Sequence, residues 1–167
     1  MKLFLVLLFC PVFCCSQNIR VDKLTGDTTI ISDFEKLYNK ASFSGTVGEQ
    51  LKVAVSKDKE GFKLGLWIQT GKSLSFEVGG SLQMKMENGD VLEIAPLGTG
   101  ANEISPNFNG GTTISLFRLT SEQFDKLRGI KVAFIRISAG DVVLDYDIKE
   151  KFQNVIIKCA AQISKFR

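Results

Sequence analysis

Residues 81–96 read SLQMKMENGDVLEIAP. Leu82, Met84 and Met86 alternate with polar residues, Asn88-Gly89 interrupts, and Leu92 and Ile94 resume the alternation. Asn-Gly between alternating apolar residues is a strong hairpin signal. The register follows from which loop keeps one face apolar. A two-residue Asn-Gly loop sets Met84 opposite Glu93. A three-residue loop ending at Gly89 sets Met84 opposite Leu92 and Leu82 opposite Ile94, and it places glycine where the backbone needs a left-handed residue. The second arrangement is the expected one.

The same period of two recurs on both sides of this hairpin. Residues 18–31, NIRVDKLTGDTTII, alternate and break at Gly26-Asp27, which predicts a hairpin from Ile19 to about Ile31. Leu51, Val53 and Val55 share one face. A polar turn around Lys57 to Gly61 separates them from Phe62, Leu64, Leu66 and Ile68. Trp67 points opposite to Leu66 and Ile68. Leu74, Phe76 and Val78 continue the pattern up to Gly79-Gly80, and Thr112 to Leu119 forms a further strand.

At Thr120 the period changes. Thr120 with Gln123 reads as a capping box, Phe124 and Leu127 lie on one helical face, and Gly129 ends the helix. In IKVAFIRIS (130–138) both parities are apolar, the pattern of a central strand covered on two faces. AGDVVLDYD (139–147) returns as its partner. A loop at Ala139-Gly140 puts Arg136 opposite Val143, with Asp141 and Asp145 as diagonal neighbours within reach of a long side chain. The expectation is a buried or half-buried cation held by two carboxylates, either an ion pair that fixes register or a site for a ligand carboxylate. From about 147 to 166, Ile148, Phe152, Val155, Ile156, Cys159, Ala160, Ile163 and Phe166 recur at three- and four-residue steps. This predicts an amphipathic helix of about five turns, capped by Asp147 with Glu150.

These elements predict one mainly β (α+β) domain: an antiparallel β-sandwich or open roll of eight or nine strands, with a short helix and a C-terminal amphipathic helix packed on the sheet. The chain's 167 residues suffice for one core, and its thirteen Phe need an interior. The N-terminus has the three-part layout of a secretory signal peptide: Lys2, an apolar run from Leu3 to Phe13, then small Cys14-Cys15-Ser16 before Gln17. Cleavage after Ser16 leaves a domain of residues 17–167. The run is too short to span a bilayer, so a membrane enters only if Cys14 or Cys15 carries a lipid. Cleavage also leaves Cys159 as the single thiol, on the apolar face of the last helix and so buried.

There is no histidine, which excludes Ser-His-Asp triads, Cys-His pairs and His-ligated zinc. A net charge of +3 carries no footprint for nucleic acid. No cofactor and no metal set is expected: Asp141, Asp145, Asp147 and Glu150 lack the EF-hand spacing. Glu77, Glu87 and Glu93 lie on predicted strands, but nothing singles out a glycosidase pair. The longest irregular stretch, Ala95 to Gly111, offers Asn107, Phe108 and Asn109, an aromatic face between two amides, as the candidate ligand-binding loop.

FCCSQ (13–17) resembles the signal-peptide ending of exported proteins of Bacteroidetes-type bacteria. LTSEQFDKLRGIKVAFIRI (119–137) followed by GDVVLDYDIKEKF (140–152) resembles the C-terminal part of small secreted proteins of unknown function in such bacteria. The resemblance covers about a third of the chain and implies export to the periplasm, cell envelope or exterior; it brings no site. The expected function is a non-enzymatic exported binding or interaction module, with a glycan, a peptide or a cell-envelope protein as partner. A carboxylate-dependent glycan hydrolase and a carrier of a small apolar ligand are the alternatives.

Overall fold

The computed structural model describes residues 17–21, 27–40, 48–70, 74, 80–97, 101–103 and 111–164. The 81–96 hairpin has the expected register. Strand β6 (Ser81–Met86) pairs with β7 (Val91–Ile94), setting Met84 opposite Leu92 and Leu82 opposite Ile94. Gly89 holds φ +92°, and its N–H donates to the Met86 carbonyl. A side chain there would be strained, so the turn selects glycine.

Around this hairpin a four-stranded sheet forms in the order β11-β10-β6-β7, with β10 (Val132–Ala139) and β11 (Val142–Asp147). The second sheet is larger. Its path is β1 (Gln17–Val21), β2 (Thr28–Ser32), β4 (Glu49–Asp58), β5 (Gly61–Thr70), β9 (Gly111–Leu119) and β8 (Ala101–Glu103). Strand β3 (Glu35–Lys40) pairs with the first half of β4, while β2 pairs with its second half. The chain turns between them at Asp33-Phe34. There the buried Ser32 hydroxyl accepts the Val55 N–H at 2.9 Å, giving a partner to a donor that would otherwise be costly to bury. All named pairings are antiparallel.

The larger sheet turns one face inward. Leu51, Val53, Val55, Leu64, Leu66, Ile68, Phe117 and Leu119 are all buried on it. They join Leu82, Met84, Ile94, Ile135, Ile137 and Leu144 of the smaller sheet in one apolar cluster. Tyr38 of β3 meets Tyr146 of β11 edge-on, ring centroids 4.9 Å apart, across the two sheets. Helix α1 (Ser121–Gly129) begins with the expected capping box. Thr120 Oγ1 accepts from the Gln123 N–H, and Gln123 Oε1 accepts from the Thr120 N–H. Phe124 stacks on Phe62 at 3.8 Å. Gly129 is the last helical residue and keeps a negative φ; the cap is Ile130, in extended backbone. Helix α2 (Val155–Ser164) buries Val155, Ile156, Cys159, Ala160 and Ile163 against β2, β3, β4 and α1. Cys159 is fully buried, and burial pushes its thiol up to about 11, so it is an inert core side chain.

Several expectations are corrected. The described residues hold eleven strands, because β3 and β8 carry no clean alternation: a register shift between Lys36 and Tyr38 breaks β3. β8 and a bridge from Pro96 to Phe117 also give structure to part of 95–111. The two apolar parities of 130–138 do not mean two covered faces. The register shifts between Val132 and Phe134, so Val132 and then Ile135, Ile137 and Ala139 all turn inward, while Arg136 is exposed. The last helix is shorter than expected. Asp147 stays in the ladder opposite Phe134, Ile148 donates to the Ala133 carbonyl, and a 3-10 turn (Glu150–Phe152) precedes α2. The Asp147–Glu150 capping box therefore does not form. The proposed signal peptide, residues 1–16, lies outside the described residues.

Candidate functional site

The outer face of the larger sheet carries a groove of about 580 Å³. That volume falls within the roughly 300–1,000 Å³ typical of small-molecule sites. Four strands and one bend build it, and the pleat decides which residues reach it. On β4 the inward set is Leu51, Val53 and Val55, so Ala54, Ser56 and Asp58 point outward. On β5 the outward set includes Lys63 and Gly65; on β9 it includes Ile114 and Leu116. Ile31 of β2 and Phe34 at the β2–β3 bend complete the walls. Ala54 pairs with Gly65, and Gly65 with Leu116, so the floor is a row of two small residues between taller neighbours.

Gly65 is the informative residue. It sits mid-strand, hydrogen-bonded on both sides, with no left-handed φ to require glycine. A Cβ there would meet Leu116 Cδ2 at 3.5 Å, Phe34 Cζ at 3.6 Å and the Ala54 carbonyl at 3.8 Å, all ordinary contacts. Folding therefore tolerates alanine, and glycine in a strand interior costs about 0.5–1 kcal/mol relative to it. Glycine in such a position often marks a close approach by a ligand or another backbone. The walls are apolar and half-open: Phe34 is 43% and Leu116 44% exposed.

One end of the groove is charged. Lys63 Nζ lies 2.6 Å from Asp58 Oδ2 and 3.0 Å from Glu60 Oε2, with the Lys63 and Asp58 side chains largely shielded from solvent. Arg118 reaches the same Glu60 oxygen at 3.3 Å. Burial pushes the Asp58 carboxyl up, but the Lys63 ammonium and the Glu60 and Gly61 N–H groups outweigh it and hold it below its ordinary 3.8. The Lys63 ammonium is raised above 10.5, chiefly by its bond to Asp58. A depressed carboxyl contributes stability above its unfolded pKa and loses it as pH falls through the folded value. Asp58→Asn is therefore expected to flatten the acid limb of the stability profile. Between about pH 5 and 2 the wild type should lose roughly 1 kcal/mol more than the variant, measured by urea unfolding. Equal losses would remove this role for the pair.

Trp67 lies on the same outer face, opposite Ile114 on β9, with Lys52 Nζ 4.3 Å above its ring. It is the only tryptophan in the chain, and so reports on this face.

The residues expected from sequence fall elsewhere. Asn107, Phe108 and Asn109 lie outside the described residues, as does Glu77. Arg136 forms a two-bond fork with Asp145, Nε to Oδ1 and Nη2 to Oδ2, both 2.7 Å. Asp145 is directly opposite rather than diagonal, Asp141 sits in the turn beside Gly140, and the pair is half-buried, the second of the two expected states. The fork uses two guanidinium N–H groups to lock register on the outer face of the smaller sheet. The expected register, Arg136 opposite Val143, is off by two residues, a slip that keeps every side chain on its face and so leaves no mark in the alternation. Pairing Arg136 with Asp145 selects the observed one. Glu87 pairs with Lys131 at 3.3 Å, and Glu93 is exposed. Among the described residues no three His, Cys, Asp or Glu gather as a metal site, and no helix is long and apolar enough to cross a membrane.

The groove residues went unread in the sequence. Gly65 inside the alternating FKLGLWIQ was the available signal; the partner strands that make it a floor are distant in the chain. A scan against protein-family models finds no match for this sequence, and searches of the curated proteins and of the solved structures find none either.

Proposed function

We propose that the chain is an exported, non-enzymatic binding module that takes its ligand in the groove over Ala54 and Gly65. The observation that carries this reading is Gly65, a mid-strand glycine that the fold does not require and that keeps the floor low between Phe34 and Leu116. The N-terminal layout of residues 1–16 supports export to the periplasm, envelope or exterior. Asp58, at the groove's edge, is held ionised by Lys63 and so does not supply the proton that a hydrolase's acid must hold. An enclosed carrier is disfavoured by walls that stand half in solvent.

Gly65→Leu tests the reading by filling the groove: its Cβ makes only ordinary contacts, and the carbons beyond must displace the half-exposed Leu116 and Phe34 side chains. The neutral fluorophore N-phenyl-1-naphthylamine is expected to bind the wild type with a saturable rise in emission. Gly65→Leu should weaken this by tenfold or more, equivalent to about 1.4 kcal/mol, while still unfolding cooperatively; Gly65→Ala should leave the melting temperature the same or raise it. Unchanged binding in a well-folded Gly65→Leu would reject the groove as the site.

A further inference from the structure

The two ends of the groove differ in charge. At one end the charges are paired, Lys63 with Asp58 and Glu60, and Arg118 with the same Glu60. The other end is the next outward row of the sheet. There Lys36 of β3 stands opposite Lys52 of β4, Lys52 opposite Trp67 of β5, and Trp67 opposite Ile114, which lines the groove. Lys52 and Trp67 are each two residues from the floor pair Ala54 and Gly65, so this row lies roughly 7 Å along the strands from the floor. Like charges directly opposite in a ladder are destabilising, and among the described residues no carboxylate lies within ion-pair distance of Lys36 or Lys52. Lys52 instead holds its ammonium 4.3 Å from the Trp67 ring, which keeps the charge on the outer face. Asp33 also lines the groove, and with its charge counted the two lysines still leave this end positive by one. The apolar walls, Phe34, Ile114 and Leu116, focus that field.

Resting on the groove being the binding site, we propose that its ligand is a small carboxylate with an apolar body. The body lies over the Ala54–Gly65 floor between Phe34 and Leu116. The carboxylate lies toward Lys52 and Lys36, beside Trp67.

Calorimetry with 4-phenylbutanoate, 4-phenylbutan-1-ol and 4-phenylbutylamine, which share one body, tests this. The carboxylate is expected to bind about threefold to fivefold more tightly than the alcohol, and the amine most weakly. Lys52→Met keeps an apolar stem beside Trp67 and removes the charge. It should close most of the gap between carboxylate and alcohol and leave the alcohol's affinity unchanged. Lys158→Gln, at an exposed position on α2 away from the groove, should leave the gap as it is. That control separates a local ammonium from the chain's net charge of +3. Raising salt to about 0.3 M should narrow the gap in the wild type, an outcome that does not depend on how the variants fold. Equal binding of all three, preference for the amine, or the same loss from Lys158→Gln as from Lys52→Met overturns the carboxylate preference while leaving the groove as a site. Carboxylate binding that survives Gly65→Leu places the ligand elsewhere and overturns the proposal. If none of the three binds while the naphthylamine does, this inference alone fails. If the naphthylamine fails as well, the groove reading falls with it.

Discussion

Truncating the chain after Asn154 is expected to abolish cooperative unfolding. The cut removes α2, whose Val155, Ile156, Cys159, Ala160 and Ile163 are buried against β2, β3, β4 and α1. Burying a large aliphatic side chain contributes roughly 1.5–3 kcal/mol. Three such residues, with Cys159 and Ala160 added, amount to a large share of the roughly 5–15 kcal/mol by which a domain is stable. The loss is compounded on the sheet side, where the inward face of β4 around Val53 would be left to water. Cys159 Sγ lies 4.0 Å from the Val53 carbonyl, which places α2 directly over that strand. The measurement is near-ultraviolet circular dichroism during heating. A sigmoidal transition at the wild-type temperature in the truncated chain would mean that the sandwich closes without its helix.

The second large effect separates adjacent residues on β9. Phe117 is fully buried, opposite Leu64 on the inner face, whereas Leu116 faces outward, opposite Gly65. Phe117→Ala removes a whole ring from a close-packed interior and should cost about 3–5 kcal/mol in urea unfolding. Leu116→Ala removes a wall of the groove, already half in solvent, and should cost less than about 1 kcal/mol. It should nevertheless weaken binding of the naphthylamine fluorophore. The opposite ranking of the two variants in stability would reverse the assigned faces of the sheet, and with them the location of the groove.

What was legible in the chain was whatever neighbouring residues decide between themselves. The 81–96 register followed from keeping Met84 and Leu92 on one face. The start of α1 followed from the Thr120–Gln123 exchange, and the apolar stripe of α2 from its spacing. Each depends on a few consecutive residues. The bulge beside Ala133 was illegible because an extra residue in a strand shifts inward parity without leaving a mark in composition. The same stretch therefore read as a strand buried on both faces. The start of α2 was misplaced because Asp147 and Ile148 bond to β10, a tertiary claim on residues whose spacing alone reads as helical.

The groove was hidden for a related reason. Its residues lie on β2, β4, β5 and β9, together with the bend at Asp33-Phe34, and they meet only because β9 pairs with β5 and β2 with β4. A sequence reading searches for loops rich in glycine and aromatic residues, and so it selected Asn107, Phe108 and Asn109. A floor made of Ala54 and Gly65 within two long strands looks like ordinary sheet until the pairing is known.

On the proposed function, the larger sheet keeps one face for the core and offers the other to a ligand. Methyl-resolved NMR of the wild-type domain titrated with N-phenyl-1-naphthylamine tests it most directly. The methyl signals of Ile31, Ala54, Ile114 and Leu116 are expected to shift together along one binding curve, while those of Leu64, Leu66 and Ile68 stay in place. Shifts confined to the inward set, or spread with no relation to the groove, would contradict it.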